Sequence, residues 1–129
     1  MIDTNNIGVI CDLDAANITG TAQAFEFQGG NAGRVVFYAH AEFGAGSPIT
    51  RFDLKLQGSY DDTNWADVAL RKAVDDTTAN PQQLAAGPTL EVAYYAENLR
   101  GARYARLVVT GQGGAGVAGD KLLVRAVIW

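Results

Sequence analysis

Apolar and polar side chains change places at every second residue over much of this chain, and that two-residue period limits what it can fold into. In a strand successive side chains point to opposite faces, whereas a helix needs a period near 3.6. Within residues 34–43 one parity carries Val35, Phe37, Ala39, Ala41 and Phe43, and the other carries Val36, Tyr38, His40 and Glu42. Phe52, Leu54 and Leu56 alternate with Asp53, Lys55 and Gln57 in the same way. The first-named parity in each segment is expected to face a core.

Further strands are expected at 7–13, 22–27, 65–71, 90–97, 102–110 and 121–129, making about eight in all. Between them fall Gly29-Gly30-Asn31 and Gly44-Ala45-Gly46-Ser47-Pro48, which supply the positive φ and the fixed proline geometry that turns require. Short strands with such punctuation predict an all-β antiparallel sandwich. Residues 73–88 are irregular. Within them Pro81-Gln82-Gln83-Leu84-Ala85-Ala86 is expected to form a helical turn, with Asn80 as cap and Gly87 as stop. Residues 1–6 and the polar stretch 14–21 are either ordered locally or arms that a partner orders, the first six being the expected N-terminal arm.

With 129 residues, the chain suits a single domain spanning 1–129. Apolar residues make up 48% and charged residues 19%, enough to bury a core and too apolar for disorder. The net charge of −4, with scattered lysines and arginines, argues against nucleic acid as a partner. No run approaches the ~18 apolar residues of a membrane helix, so no membrane partner is expected. The opening MIDTNN lacks the basic and apolar regions of a signal peptide, from which cytoplasmic synthesis is expected. Cys11 is the sole cysteine, so no intrachain disulfide forms and cysteine-based zinc sites lack ligands.

Several patterns that carry chemistry in other settings have plainer readings in this chain. Gly111, Gly113 and Gly116 fit the dinucleotide spacing G-x-G-x-x-G, but the fingerprint must open a helix and here a final strand follows. A flexible hairpin loop is expected instead. Asn17-Ile18-Thr19 fits a glycosylation acceptor, read as a polar turn in the absence of a secretion signal. Asp61, Asp62 and Asp67, with Asp75 and Asp76 beyond, are the candidate calcium ligands. Their spacing does not match an EF-hand, and the turn-forming tendency of Asp and Asn explains Asp61-Asp62-Thr63-Asn64 without a metal, which is the preferred reading. His40 is the sole histidine, and neither Ser47 nor Ser59 sits in a nucleophile elbow, so a catalytic triad has no support. Cys11, after Gly8-Val9-Ile10, reads as a small buried residue. No carboxylate pair stands out as a glycosidase site. No enzyme and no cofactor is expected.

Aromatic and arginine side chains are the better recognition candidates. Tyr94 and Tyr95 must point to opposite faces, one into the core and one free for a sugar or protein surface. Trp65 is expected to pack in the core or against the acidic turn, with exposed stacking as the alternative, and Trp129 to anchor the last strand in the sheet or at a subunit contact. Arg103 and Arg106, with Arg100 nearby, are interface candidates. Arg106 shares strand parity with Tyr104, so the pair can stack or face a neighbouring carboxylate.

The string LQGSYDDTNWADV, followed after a loop by RYARLVV, resembles a cassette of galactose-binding-like jelly rolls, including discoidin-type domains. Ser59, Asp61, Trp65, Val68, Arg103, Tyr104, Arg106 and Leu107 carry the likeness, which covers under half the chain. The chain departs from the extracellular members in that no signal peptide is expected at its start and it has one cysteine in place of a flanking pair. The cassette also looks like that of tailed-bacteriophage virion proteins, among them small head decoration proteins. That likeness implies a jelly-roll sandwich and a capsid-stabilising role on the virion, after synthesis in the bacterial host cytoplasm. It further implies the major capsid protein as partner and a homotrimer at local threefold positions. A carbohydrate-binding module of a phage fibre or bacterial surface assembly, with carbohydrate as ligand, is the alternative.

Overall fold

The alternation resolves into two antiparallel sheets in the computed structural model, which describes residues 5–27, 34–97, 99 and 102–128. Eleven strands occur among them: β1 (Asn5–Asp14), β2 (Gln23–Phe27), β3 (Arg34–Glu42), β4 (Arg51–Ser59), β5 (Trp65–Val68), β6 (Leu70–Lys72), β7 (Thr78–Ala79), β8 (Gln82–Ala85), β9 (Leu90–Glu97), β10 (Tyr104–Gln112) and β11 (Lys121–Ile128). One sheet has six strands in the order β1-β11-β3-β9-β6-β7. The other has β2-β10-β4-β5 as neighbours, and β8 shares the outer edge of β4 with β5. From β1 to β4, and again from β7 to β11, each connection crosses from one sheet to the other. No helix is present among the described residues.

The inward parities are those that the alternation marks. Val35, Phe37, Ala39 and Ala41 of β3 face Phe52, Leu54 and Leu56 of β4 and Leu107 and Val109 of β10 in one continuous core. Tyr94, Leu122, Val124 and Ala126 complete the six-stranded side. Phe27 meets Phe37 edge to face at 5.6 Å between ring centroids, a favoured aromatic geometry. Leu99 and Ile49 are buried in the same cluster.

Five expectations change. The strand count is eleven, not eight, partly because residues 65–71 divide at Ala69: β5 belongs to the smaller sheet and β6 to the larger. Pro81 to Ala86 form no helical turn, since β8 pairs with β4 from Arg51↔Ala85 to Leu54↔Gln82. Gln82 is buried there and its Nε2 donates to the carbonyls of Leu70 and Thr77 at 2.8 Å each, tying β8 to the larger sheet. Asp53, on the outward parity of β4, is nonetheless only 7% exposed, because Arg51 and Gln112 reach across it. The glycine loop after β10 is no hairpin: it carries the chain from the smaller sheet to the larger, and Gly113 lies hard against the backbone of Pro48. Asn5 and Asn6 are not part of an arm but pair in β1 with Ile128 and Val127; the rest of the expected arm, residues 1–4, lies outside the described residues.

Two further features fix the ends and edges. Asp120, 2% exposed, accepts from Gly44 N at 2.7 Å, from Ser47 Oγ at 2.8 Å and from Val117 N at 2.8 Å, locking the β3–β4 loop to the β10–β11 loop. Along β1, the outer strand of the larger sheet, the register with β11 shifts twice, between Asn6 and Gly8 and between Val9 and Cys11. Gly8 takes φ +95 at the first shift, a backbone conformation that side chains disfavour.

Candidate binding face

The outward parity of the six-stranded sheet forms rows across neighbouring strands. In one row Val9, Arg125, Tyr38 and Ala93 stand side by side; in the next are Asp12, Leu123, His40 and Glu91. Val127, Val36 and Tyr95 form a third. Val9 and Tyr38 remain 54% and 49% exposed on either side of Arg125, so two large apolar side chains on this face meet water. On the same face Tyr38, Ala93 and Leu123, with His40, Glu91, Lys121 and Arg125, line a concavity of about 520 Å³.

His40 is held at the edge of this concavity between two carboxylates. Its Nε2 lies 3.2 Å from Glu42 Oε2 and its Nδ1 3.2 Å from Glu91 Oε1. A neutral imidazole donates at one nitrogen only, so both contacts are hydrogen bonds together only in the protonated ring. The carboxylates sit on opposite sides of the ring, and no group of three or more His, Cys, Asp or Glu side chains among the described residues is placed to hold a metal ion.

On the smaller sheet the outward row Glu26, Arg106, Gln57, Asp67 runs across β2, β10, β4 and β5. Trp65 belongs to this face and not to the core, because it pairs with Ser59 and so shares the parity of Gln57. Arg106 lies over its ring at 4.0 Å while Nε donates to Gln57 Oε1 at 2.9 Å. The stacking partner of Arg106 is therefore Trp65 and not Tyr104. Arg103, exposed, lies 5.9 Å from the Tyr104 ring.

The acidic turn between β4 and β5 consumes its own carboxylate. Asp61 accepts from Thr63 N, Asn64 N, Asn64 Nδ2 and Ser59 Oγ at 2.8 to 3.1 Å, and these bonds, led by the Asn64 amide, hold it far below the ordinary carboxylate range. Asp62 adopts φ 62 and lies beside Glu26, whose pKa rises through loss of hydration and then through the hydrogen bond to Asp62 and its charge. Asp67 accepts from Gln57 Nε2 at 2.9 Å and pairs with Lys55 at 3.5 Å. The three candidate calcium ligands thus have separate partners and do not converge.

The remaining sequence candidates divide. Tyr94 is in the core at 1% exposure, its hydroxyl pushed up to about 12 by burial. Tyr95 points outward as expected, but its hydroxyl donates to Asp76 and Arg34 covers its ring at 4.6 Å. Trp129 and Arg100 lie outside the described residues. Cys11 is buried at 1%, and burial, aided by the charge of Asp12, pushes its thiol up to about 12. Sequence reasoning placed Tyr38 and His40 on an outer or interface face but did not single out Val9, Lys121, Leu123 or Arg125, which join them only through strand order.

No protein-family model matches the sequence, and no curated protein does. Among solved structures, the chain is similar to the Clostridium thermocellum N-terminal endo-1,4-beta-D-xylanase 10B, CBM22-1-GH10 modules complexed with xylohexaose, at 13% identity and a TM-score of 0.37. That match covers 97% of this chain and 25% of the other.

Proposed function

We propose that the protein is a non-enzymatic virion component that binds the outer surface of a phage capsid and stabilises it. The observation that carries this reading is the outer face of the six-stranded sheet. Val9 and Tyr38 stay exposed there on either side of Arg125, with His40, Glu91 and Lys121 around the adjoining concavity, a mixture of apolar and charged groups suited to a protein contact. Three of the rings on which a sugar could stack are occupied, Tyr94 being buried, Tyr95 under Arg34 and Trp65 under Arg106, while Tyr38 and Tyr60 remain exposed. The capsid, as the particular protein, comes from the likeness of the cassette between Ser59 and Leu107 to virion proteins. Copies set across the junctions of a shell would each add interface, and symmetric repetition makes individually weak contacts collectively strong. A homotrimer at threefold positions fits that role.

The test is to mix the purified protein with capsids of its phage that lack it. Co-sedimentation and a raised capsid melting temperature are expected, both lost with Val9→Asp combined with Tyr38→Glu. Wild-type protein that neither binds nor stabilises such capsids would sink the proposal. A second reading, a saccharide module, is favoured by one observation: the concavity pairs a half-exposed Tyr38 ring with polar side chains of both signs. Glycan-array binding removed by Tyr38→Ala would select it.

A further inference from the structure

Ten lysines and arginines occur in the chain, and nearly all the described ones are engaged. Arg34, Arg51 and Lys55 pair with Glu97, Asp53 and Asp67. Arg103 and Arg106 lie over aromatic rings, while Arg71 and Lys72 interact electrostatically with Tyr95 and Asp75. Among the described residues Lys121 and Arg125, like Arg71 and Lys72, have no ion pair, ring contact or side-chain hydrogen bond. Lys121 and Arg125 line the same concavity.

Their isolation does not come from a lack of neighbouring acids. Lys121 stands opposite Glu42 on one side and Asp14 on the other. Glu42 turns instead to His40, and Asp14 Oδ1 accepts from Ala16 N at 3.0 Å. Glu91, the acid of the concavity lining, is also committed to His40, and Asp12 of β1 stands opposite Leu123. An acidic chain therefore keeps two unpaired cations on one face of β11, with Leu123 between them and Tyr38 opposite Arg125.

We infer that this concavity docks an extended acidic segment of the partner protein, with one carboxylate on Lys121, a second on Arg125 and an apolar side chain between them on Leu123 and Tyr38. The inference rests on the docking reading above and adds the partner's chemistry. Lys121 and Arg125 are separated by about 13 Å along the strand, so carboxylates four residues apart on an extended segment match them. The intervening same-face residue meets the apolar floor.

The probe is the acetylated and amidated peptide Glu-Thr-Leu-Thr-Glu, titrated into ¹⁵N-labelled protein beside Lys-Thr-Leu-Thr-Lys and trigalacturonate as controls. Shifts confined to β11, β3 and β9, with a Kd of about 1 mM, are expected for the acidic peptide alone. High salt should weaken binding roughly tenfold. The double variant Lys121→Glu with Arg125→Glu, checked for an unchanged melting temperature, should prefer the lysine peptide. No shifts at these residues, shifts elsewhere, or shifts with trigalacturonate in place of the peptide would overturn the inference. Capsid binding separates the two proposals. If wild-type protein and the double variant bind capsids alike, the inference fails and the docking reading stands; if the acidic peptide binds as expected but capsids do not, the inference stands and the capsid reading fails.

Discussion

Replacing Asp120 by alanine is the most demanding test of how the sandwich is closed. Its carboxylate, 2% exposed, accepts two backbone N–H groups and the Ser47 hydroxyl at 2.7 to 2.8 Å. Each charge-assisted bond contributes about 1.5–3 kcal/mol when broken from one side. The cost of keeping a carboxylate out of water, several kcal/mol, disappears with the side chain and offsets much of that total. Ser47 also reaches water once released. A net loss of about 3 kcal/mol is expected, corresponding to roughly 10 °C in melting temperature for a chain of this size. Urea unfolding should show a lower midpoint with an unchanged slope, since the same surface is exposed. Asp120→Asn keeps the shape and one acceptor oxygen and should lose about half as much. Ser47→Ala also removes the acceptor of Ile49 N, so it should cost about 2 kcal/mol alone and about 1 kcal/mol on top of Asp120→Ala, the bond to Asp120 being counted only once. A loss below about 1 kcal/mol for Asp120→Ala, or full additivity with Ser47→Ala, would refute the view that this carboxylate joins the two loops.

Three other outcomes are expected. Gly113→Ala, at φ +116 and with the added carbon driven into the Pro48 carbonyl, should destabilise by at least about 3 kcal/mol; Gly46→Ala, at φ +72 in open space, should cost only about 1 kcal/mol, and equal losses in urea titrations would contradict this. The depressed pKa of Asp61 contributes stability that is present above the unfolded carboxylate value near 3.9 and is lost as pH falls towards the lower folded value. The melting-temperature gap between wild type and Asp61→Ala should therefore be widest at neutral pH and narrow steadily below about pH 4; a gap independent of pH would exclude the turn bonds as its source. Cys11, with its thiol pushed up to about 12, should resist a disulfide reagent at pH 8 in the folded protein and react rapidly in urea, whereas prompt reaction in buffer would mean that β1 opens readily.

Strands were legible where one face is core and the other is not. Val35, Phe37 and Ala39 against Val36, Tyr38 and His40 state the two faces of β3 outright. The alternation says nothing about which sheet a strand joins, so the crossing at Ala69 left no mark and β5 and β6 read as one. Around Pro81 the local signals favour a helical turn, but four backbone pairings to β4 outweigh them; the inward spacing of Gln82 and Leu84 was the available cue. Aromatic candidates were legible as residue types only. Register decides that Trp65 sits under Arg106, and strand order decides that Lys121 and Arg125 border Tyr38. An unpaired charge is a property of tertiary surroundings, and no spacing rule announces it.

The two irregularities in β1 bear on how many such molecules can share a small space. A straight outer strand offers its backbone to any identical strand nearby, and crowded copies would zip into ribbons. Here the ladder is interrupted twice within ten residues, leaving 11–14 as its longest unbroken run, and bulges also twist a strand away from a flat neighbour. Self-polymerisation along this rim is thereby discouraged by geometry alone. Encounters between copies at this rim are left to side chains, where a sequence can discriminate and a bare backbone cannot.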